Sequence, residues 1–81
     1  MNILIAGAGG FIAGHLTKSL ALQGYDVTAV DIKSKEKWFQ VHDLQNVETL
    51  PKSDLRDKRV VESLLKQKKY HRIYNLACNM G

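Results

Sequence analysis

Four short strand-like segments mark this chain, and between them lie two longer stretches in which apolar residues return every three or four positions. Ile3 to Ala6 run apolar without a break, the pattern of a strand covered on both faces. From Gly10 to Gln23 the apolar positions Phe11, Ile12, Leu16, Leu20 and Ala21 fall at helical spacing, with Lys18 and Gln23 left for the wet side. Gly24 is placed to end that helix, because glycine adopts the left-handed conformation of a residue just past a helix end. Val27 to Val30 reads as a second strand closing at Asp31. Strand, helix and parallel strand within about thirty residues form one right-handed βαβ unit.

Residues 32 to 46 set Trp38, Phe39 and Val41 among charges with no period, which predicts an irregular segment with room for one short helix. Val47 to Leu50 is a third, shorter strand, and Pro51 at its end assigns it to a sheet edge. Val60, Val61, Leu64 and Leu65 then give an amphipathic helix running to about Lys69, with Ser53 or Asp54 as the expected cap. Ile73 to Ala77 is the fourth strand.

Composition narrows the class. A chain of 81 residues makes one small domain, in which only about 60% of the unfolded surface is buried. Its 44% hydrophobic and 25% charged content is globular rather than disordered. No basic leader precedes an apolar segment and no apolar run reaches membrane-spanning length, so the expectation is a cytoplasmic protein without a membrane partner. Cys78 is the only cysteine, which excludes an intrachain disulfide and a cysteine-rich metal site; it reads as a small buried residue. His15, His42 and His71 are scattered, so no metal site is expected. The net charge is +4, and the basic residues concentrate at Lys33, Lys35 and Lys37 and in the run Lys66 to Arg72. The second cluster ends a predicted helix, where cations complement the carbonyl end of the dipole, so a solvated face is favoured over nucleic-acid binding.

The glycines after the first strand change the picture. Gly7, Gly9 and Gly10 remove side chains where the backbone turns into a helix, leaving amide N–H groups for an anion such as a diphosphate. The strict pattern G-x-G-x-x-G started at Gly7 fails, since Ile12 stands where its last glycine belongs. The spacing G-x-x-G-x-x-A does fit, on Gly7, Gly10 and Ala13, with the last small residue allowing the helix close to the first strand. Asp31 supports this independently. It ends the second strand a little over twenty residues on, where a carboxylate accepts the ribose hydroxyls of an adenosine and repels a 2′-phosphate. NAD is thereby preferred over NADP, with Lys33 and Lys35 near enough to neutralise an added phosphate and keep NADP possible. Asp54 and Leu55 follow the third strand, at the carboxyl edge of the sheet. Asp54 there either accepts from an adenine amino group or caps the next helix, and the two readings are compatible. The elements compose an α/β fold, the N-terminal part of a Rossmann doubly wound parallel sheet of order 3-2-1-4. The apolar edge at Ile73 to Ala77 would be left open, so residues 1–81 read as a partial NAD(P)-binding domain incomplete at its C-terminus.

Ala6-Gly-Ala-Gly-Gly-Phe-Ile-Ala13, Asp31, Asp54-Leu-Arg-Asp57 and Asn75-Leu-Ala77, in that order and spacing, resemble the N-terminal part of the extended short-chain dehydrogenase/reductase superfamily, in its NAD-dependent epimerase/dehydratase branch. Asn75 to Gly81 further resembles a segment of GDP-mannose 3,5-epimerases. The resemblance implies a nucleotide-sugar enzyme in which bound NAD(P) takes a hydride from a sugar carbon and returns it. It places the diphosphate on Gly7, Gly10 and Ala13 with the amides of Phe11 and Ile12, the ribose on Asp31, the adenine on Asp54 and Leu55, and the middle of the cofactor against Leu76 and Ala77. It also implies a homo-oligomer at full length. The family's catalytic Tyr-x-x-x-Lys has no match, because Tyr25, Tyr70 and Tyr74 are followed four residues later by Ala29, Tyr74 and Cys78. Catalysis by this chain alone is therefore not expected, no catalytic residue is nominated, and a non-catalytic dinucleotide-binding module or a reductase or dehydratase portion are the alternatives.

Overall fold

A computed structural model describes residues 1–40 and 44–77. Four strands, β1 (Asn2–Ala6), β2 (Asp26–Val30), β3 (Val47–Leu50) and β4 (Arg72–Asn75), pair in parallel in the order β3-β2-β1-β4. Helix α1 (Phe11–Leu22) joins β1 to β2, and α2 (Lys58–Gln67) joins β3 to β4. A 3-10 turn at Lys35–Lys37 supplies a short helix in the irregular segment.

The unbroken apolar run of β1 is explained by its central place, paired with β2 in register Ile3↔Val27 and with β4 in register Leu4↔Ile73. Its residues alternate between two cores, as the two-residue period of a strand requires. Ile3 and Ile5 join Ala29, Ala13, Ala21 and Trp38 under α1, whereas Leu4 joins Val30 and Leu64 under α2. Helices thus cover both faces, the doubly wound arrangement the spacing predicts. Gly24 ends α1 as expected, with φ of 96° and its N–H donating to the Ala21 carbonyl.

Three details depart from the sequence reading. Phe11 and Ile12 do not face the core but are 59% and 72% exposed. The inward stripe is Ala13, Thr17 and Ala21, spaced four apart, small enough for α1 to lie close on the sheet. The fully buried Thr17 hydroxyl is satisfied by donating to the Ala13 carbonyl one turn back. The cap of α2 is neither Ser53 nor Asp54 but Asp57, whose carboxylate accepts from the Arg59 N–H at 2.9 Å. That helix ends at Gln67, and Lys68 is already extended. β4 lies at the other sheet edge with Ile73 57% exposed, so its apolar character does not come from burial among these residues. The expectations for Val41, His42 and Cys78, and the resemblance over the last residues to Gly81, lie outside the described residues.

Candidate functional site

The carboxyl ends of β1, β2 and β4 and the segment after β3 surround a cavity of about 520 Å³, lined by Gly7, Gly10, Asp31, Asp54, Leu55, Leu76 and Ala77 among others. Its size is in the range of small-molecule sites, roughly 300–1,000 Å³, and its position is the topological switch point where α1 and α2 leave for opposite faces.

The three glycines of the β1–α1 turn serve different ends. Gly7 has φ of 80°, and a Cβ there would stand 2.5 Å from the Ala77 amide nitrogen, so the fold itself requires a glycine. Gly9 is equally confined, with a Cβ falling 2.9 Å from both the Asp31 carboxylate and the Trp38 ring. Gly10 is not. Its φ is −78°, and a Cβ would meet only the Gly7 carbonyl at an ordinary 3.5 Å. Nothing in the chain's own packing calls for glycine there, whereas the residue lines the cavity and a side chain would enter it. Gly10 is also the N-cap of α1, without a side chain to satisfy the first-turn amides, and that turn carries no acidic residue. Free N–H groups and the positive end of the helix dipole therefore meet the cavity edge, suited to a diphosphate.

Asp31 is 7% exposed, which overturns a merely solvated strand-end aspartate. One carboxylate oxygen accepts from the Gly9 N–H at 2.8 Å and the other from the Lys33 N–H at 2.9 Å. Two of roughly four lone-pair sites remain, and the residue borders the cavity, so further hydroxyl donors can be accepted. Trp38 closes this corner from behind. Its ring packs on Gly9 and its indole N–H donates to the Lys33 carbonyl at 3.0 Å. The sequence reading missed Trp38; a lone tryptophan in an irregular segment was the available signal.

The segment after β3 is fixed by backbone bonds to Asp31 and Lys33, with the Ser53 N–H donating to the Asp31 carbonyl at 2.9 Å and the Lys52 N–H to the Lys33 carbonyl at 3.2 Å. Leu55 packs its side chain against the core under α2 and also lines the cavity. Asp54 binds Arg56, whose backbone N–H, Nε and Nη2 all donate to the carboxylate at 2.9 to 3.2 Å. Those bonds hold the Asp54 carboxyl below the ordinary aspartate range, the side-chain bonds contributing most. Arg56 lines the same cavity and was not singled out from sequence, although its place two residues after Asp54 is the spacing of such a turn.

Of the residues expected at a dinucleotide site, Gly7, Gly10, Asp31, Asp54, Leu55, Leu76 and Ala77 come together around the cavity. Phe11, Ile12 and Ala13 do not line it: the first two point to solvent, and Ala13 is buried against the sheet. Among the described residues no cluster of His, Cys, Asp and Glu could hold a metal, and no helix is long and apolar enough to cross a membrane.

Residues 3–81 match the model of the NAD dependent epimerase/dehydratase family. GDP-mannose 3,5-epimerase of Arabidopsis thaliana is 37% identical over the whole chain, which corresponds to 20% of that protein's length. UDP-glucose 4-epimerase of Thermotoga maritima, solved with UDP-glucose, superposes with a TM-score of 0.81 at 26% identity over 99% of the chain and 25% of its own. The UDP-glucose 4-epimerase of Thermus thermophilus, in complex with NAD, gives 0.78 at 27% identity over 98% of the chain and 24% of its own. The chain spans about a quarter or less of each of these relatives. With the family pattern running through nearly every residue, and the sheet order and switch-point cavity agreeing with it, the chain belongs to the NAD dependent epimerase/dehydratase family.

Proposed function

We propose that these 81 residues form the NAD-binding part of a nucleotide-sugar epimerase or dehydratase. The observation that carries this reading is Gly10, a glycine the fold does not need beside a cavity that a side chain would fill. The residues present fit the group: the first-turn amides of α1 would hold the diphosphate, Asp31 would accept the ribose hydroxyls, and Asp54 and Leu55 would lie along the adenine. Asp31 works twice, since its bond to the Gly9 N–H also braces the glycine turn. Its charge in a nearly buried corner favours NAD over NADP, because a 2′-phosphate would sit against an ionised carboxylate. When bound, the nicotinamide supplies the hydride acceptor and donor; these residues bind and orient it.

No tyrosine among the 81 residues precedes a lysine by four, so the reading assigns cofactor binding to this chain and no turnover of sugar. Calorimetric titration with NAD tests it. Gly10→Ala is expected to keep the melting temperature and weaken binding at least tenfold, whereas Gly7→Ala is expected to lower stability itself by about 1–3 kcal/mol, having φ of 80° and backbone in the way. Equal NAD affinity in the parent and the Gly10→Ala variant refutes the assignment.

A further inference from the structure

Trp38 does not line the cavity, yet it reaches both of the residues that hold Asp31 there. One Asp31 oxygen accepts from the Gly9 N–H at 2.8 Å and the other from the Lys33 N–H at 2.9 Å. The Trp38 ring lies so close on Gly9 that a Cβ there would stand 2.9 Å from the indole and from the carboxylate alike. The indole N–H donates to the Lys33 carbonyl at 3.0 Å, closer than the Lys52 N–H that shares this acceptor at 3.2 Å. Backbone bonds keep the ring in place, the Phe39 N–H donating to the Gly9 carbonyl at 2.9 Å and the Trp38 N–H to the Lys35 carbonyl at 3.1 Å. Gly9 is thus held at its N–H, its carbonyl and its α-carbon at once.

We propose that Trp38 is a positioning residue for Asp31, one that sets how strongly the site prefers NAD to NADP. This rests on the reading that Asp31 accepts the ribose hydroxyls of NAD. Filling the core needs only the bulk of the ring, which other large apolar side chains also offer. Fixing a carboxylate needs its two donors fixed, and the indole meets both, with its ring on Gly9 and its N–H on Lys33. With both donors braced the carboxylate keeps one orientation, and the lone pairs left over keep one direction. So held, it would accept from a 2′-hydroxyl and repel a 2′-phosphate. When the Lys33 carbonyl loses the indole, the Lys33 N–H loosens its hold and the carboxylate turns between orientations. The bond to a hydroxyl and the repulsion of a phosphate then weaken together. Phenylalanine keeps a ring against Gly9 and lacks the N–H, so it removes this brace and leaves the wall.

Calorimetric titration of the 81-residue chain with NAD and with NADP tests this through the ratio of the two affinities. Destabilisation alone lowers both apparent affinities by the same folded fraction and cannot move the ratio. The parent is expected to prefer NAD by about tenfold or more, and Trp38→Phe to narrow the preference by about threefold or more, near the worth of one hydrogen bond. Val27→Ala thins the same core at the opposite end of β2 from Asp31, and is expected to lower the melting temperature and keep the parent ratio. In an Asp31→Asn background, Trp38→Phe is expected to change the ratio no further. The proposal is overturned by a parent without preference, by a parent ratio retained in Trp38→Phe, by a narrowing that persists in the Asp31→Asn background, or by one that Val27→Ala reproduces; in each case the NAD-binding reading stands. A parent that binds neither dinucleotide overturns both.

Discussion

At the scale of single residues, the site divides into positions the fold demands and positions it merely permits. Gly7 and Gly9 are demanded, for each would drive a Cβ into neighbouring atoms. Gly10, Asp54 and Arg56 are permitted, and all three line the cavity, as the demanded Gly7 also does. The distinction could not be read from the chain, where three glycines in four positions look alike. Asp31 was legible because strand-end position and distance from the turn are both sequence properties; its bond to the Gly9 N–H and its shelter under Trp38 depend on a loop without periodicity. Asp54 offers a direct measurement. Its carboxyl is held low first by the Arg56 side-chain bonds, so whatever the pair adds to stability is present above the unfolded aspartate pKa and lost as pH falls through the depressed folded value. Carboxyl NMR titration is expected to show Asp54 ionised to lower pH than a free aspartate, and Arg56→Gln is expected to raise its midpoint towards the ordinary range, the bond from the backbone N–H of residue 56 remaining. A midpoint unmoved by that substitution would mean that the grip on Asp54 is absent in solution.

The elements repeat the lesson with periodicity in place of contact. Strand β1 was readable as a continuous apolar run because a central parallel strand is covered on both faces. Helix α1 was located correctly, and Leu16, Leu20 and Ala21 do meet the core, but its first turn was misjudged, because hydrophobicity alone favours Phe11 and Ile12 over the small residues Ala13 and Thr17 that also dock. Close packing on a sheet selects for size as well as for polarity. For α2 the uncertainty was the cap, since Ser53, Asp54 and Asp57 all have capping side chains and only backbone geometry chooses among them. The structure makes that choice testable by urea unfolding. Asp57→Ala is expected to lower stability by about 1 kcal/mol, and Asp54→Ala to change it less. The reverse order would place the cap, and with it the start of α2, where the sequence first suggested.

For the molecule as a whole, the two sheet edges differ. β3 is short and followed at once by Pro51, a residue that cannot extend a ladder. β4 has no such protection, pairing only with β1 while Ile73 and, on the neighbouring α2, Leu65 stand 57% and 55% exposed. An apolar edge of this kind is a template for another strand. The 81-residue polypeptide is accordingly expected to associate as its concentration rises in sedimentation experiments, and Ile73→Lys is expected to shift it towards monomer; concentration-independent monomers from both would remove the edge as a cause. The same compactness of design has a use at the opposite end of the sheet. Trp38 is the chain's one tryptophan, and it is 6% exposed with its ring against Gly9. The glycine turn therefore carries a built-in fluorophore, whose emission reports the closing of that corner during folding and any change in the turn when a ligand settles beside it, without a label attached to the protein.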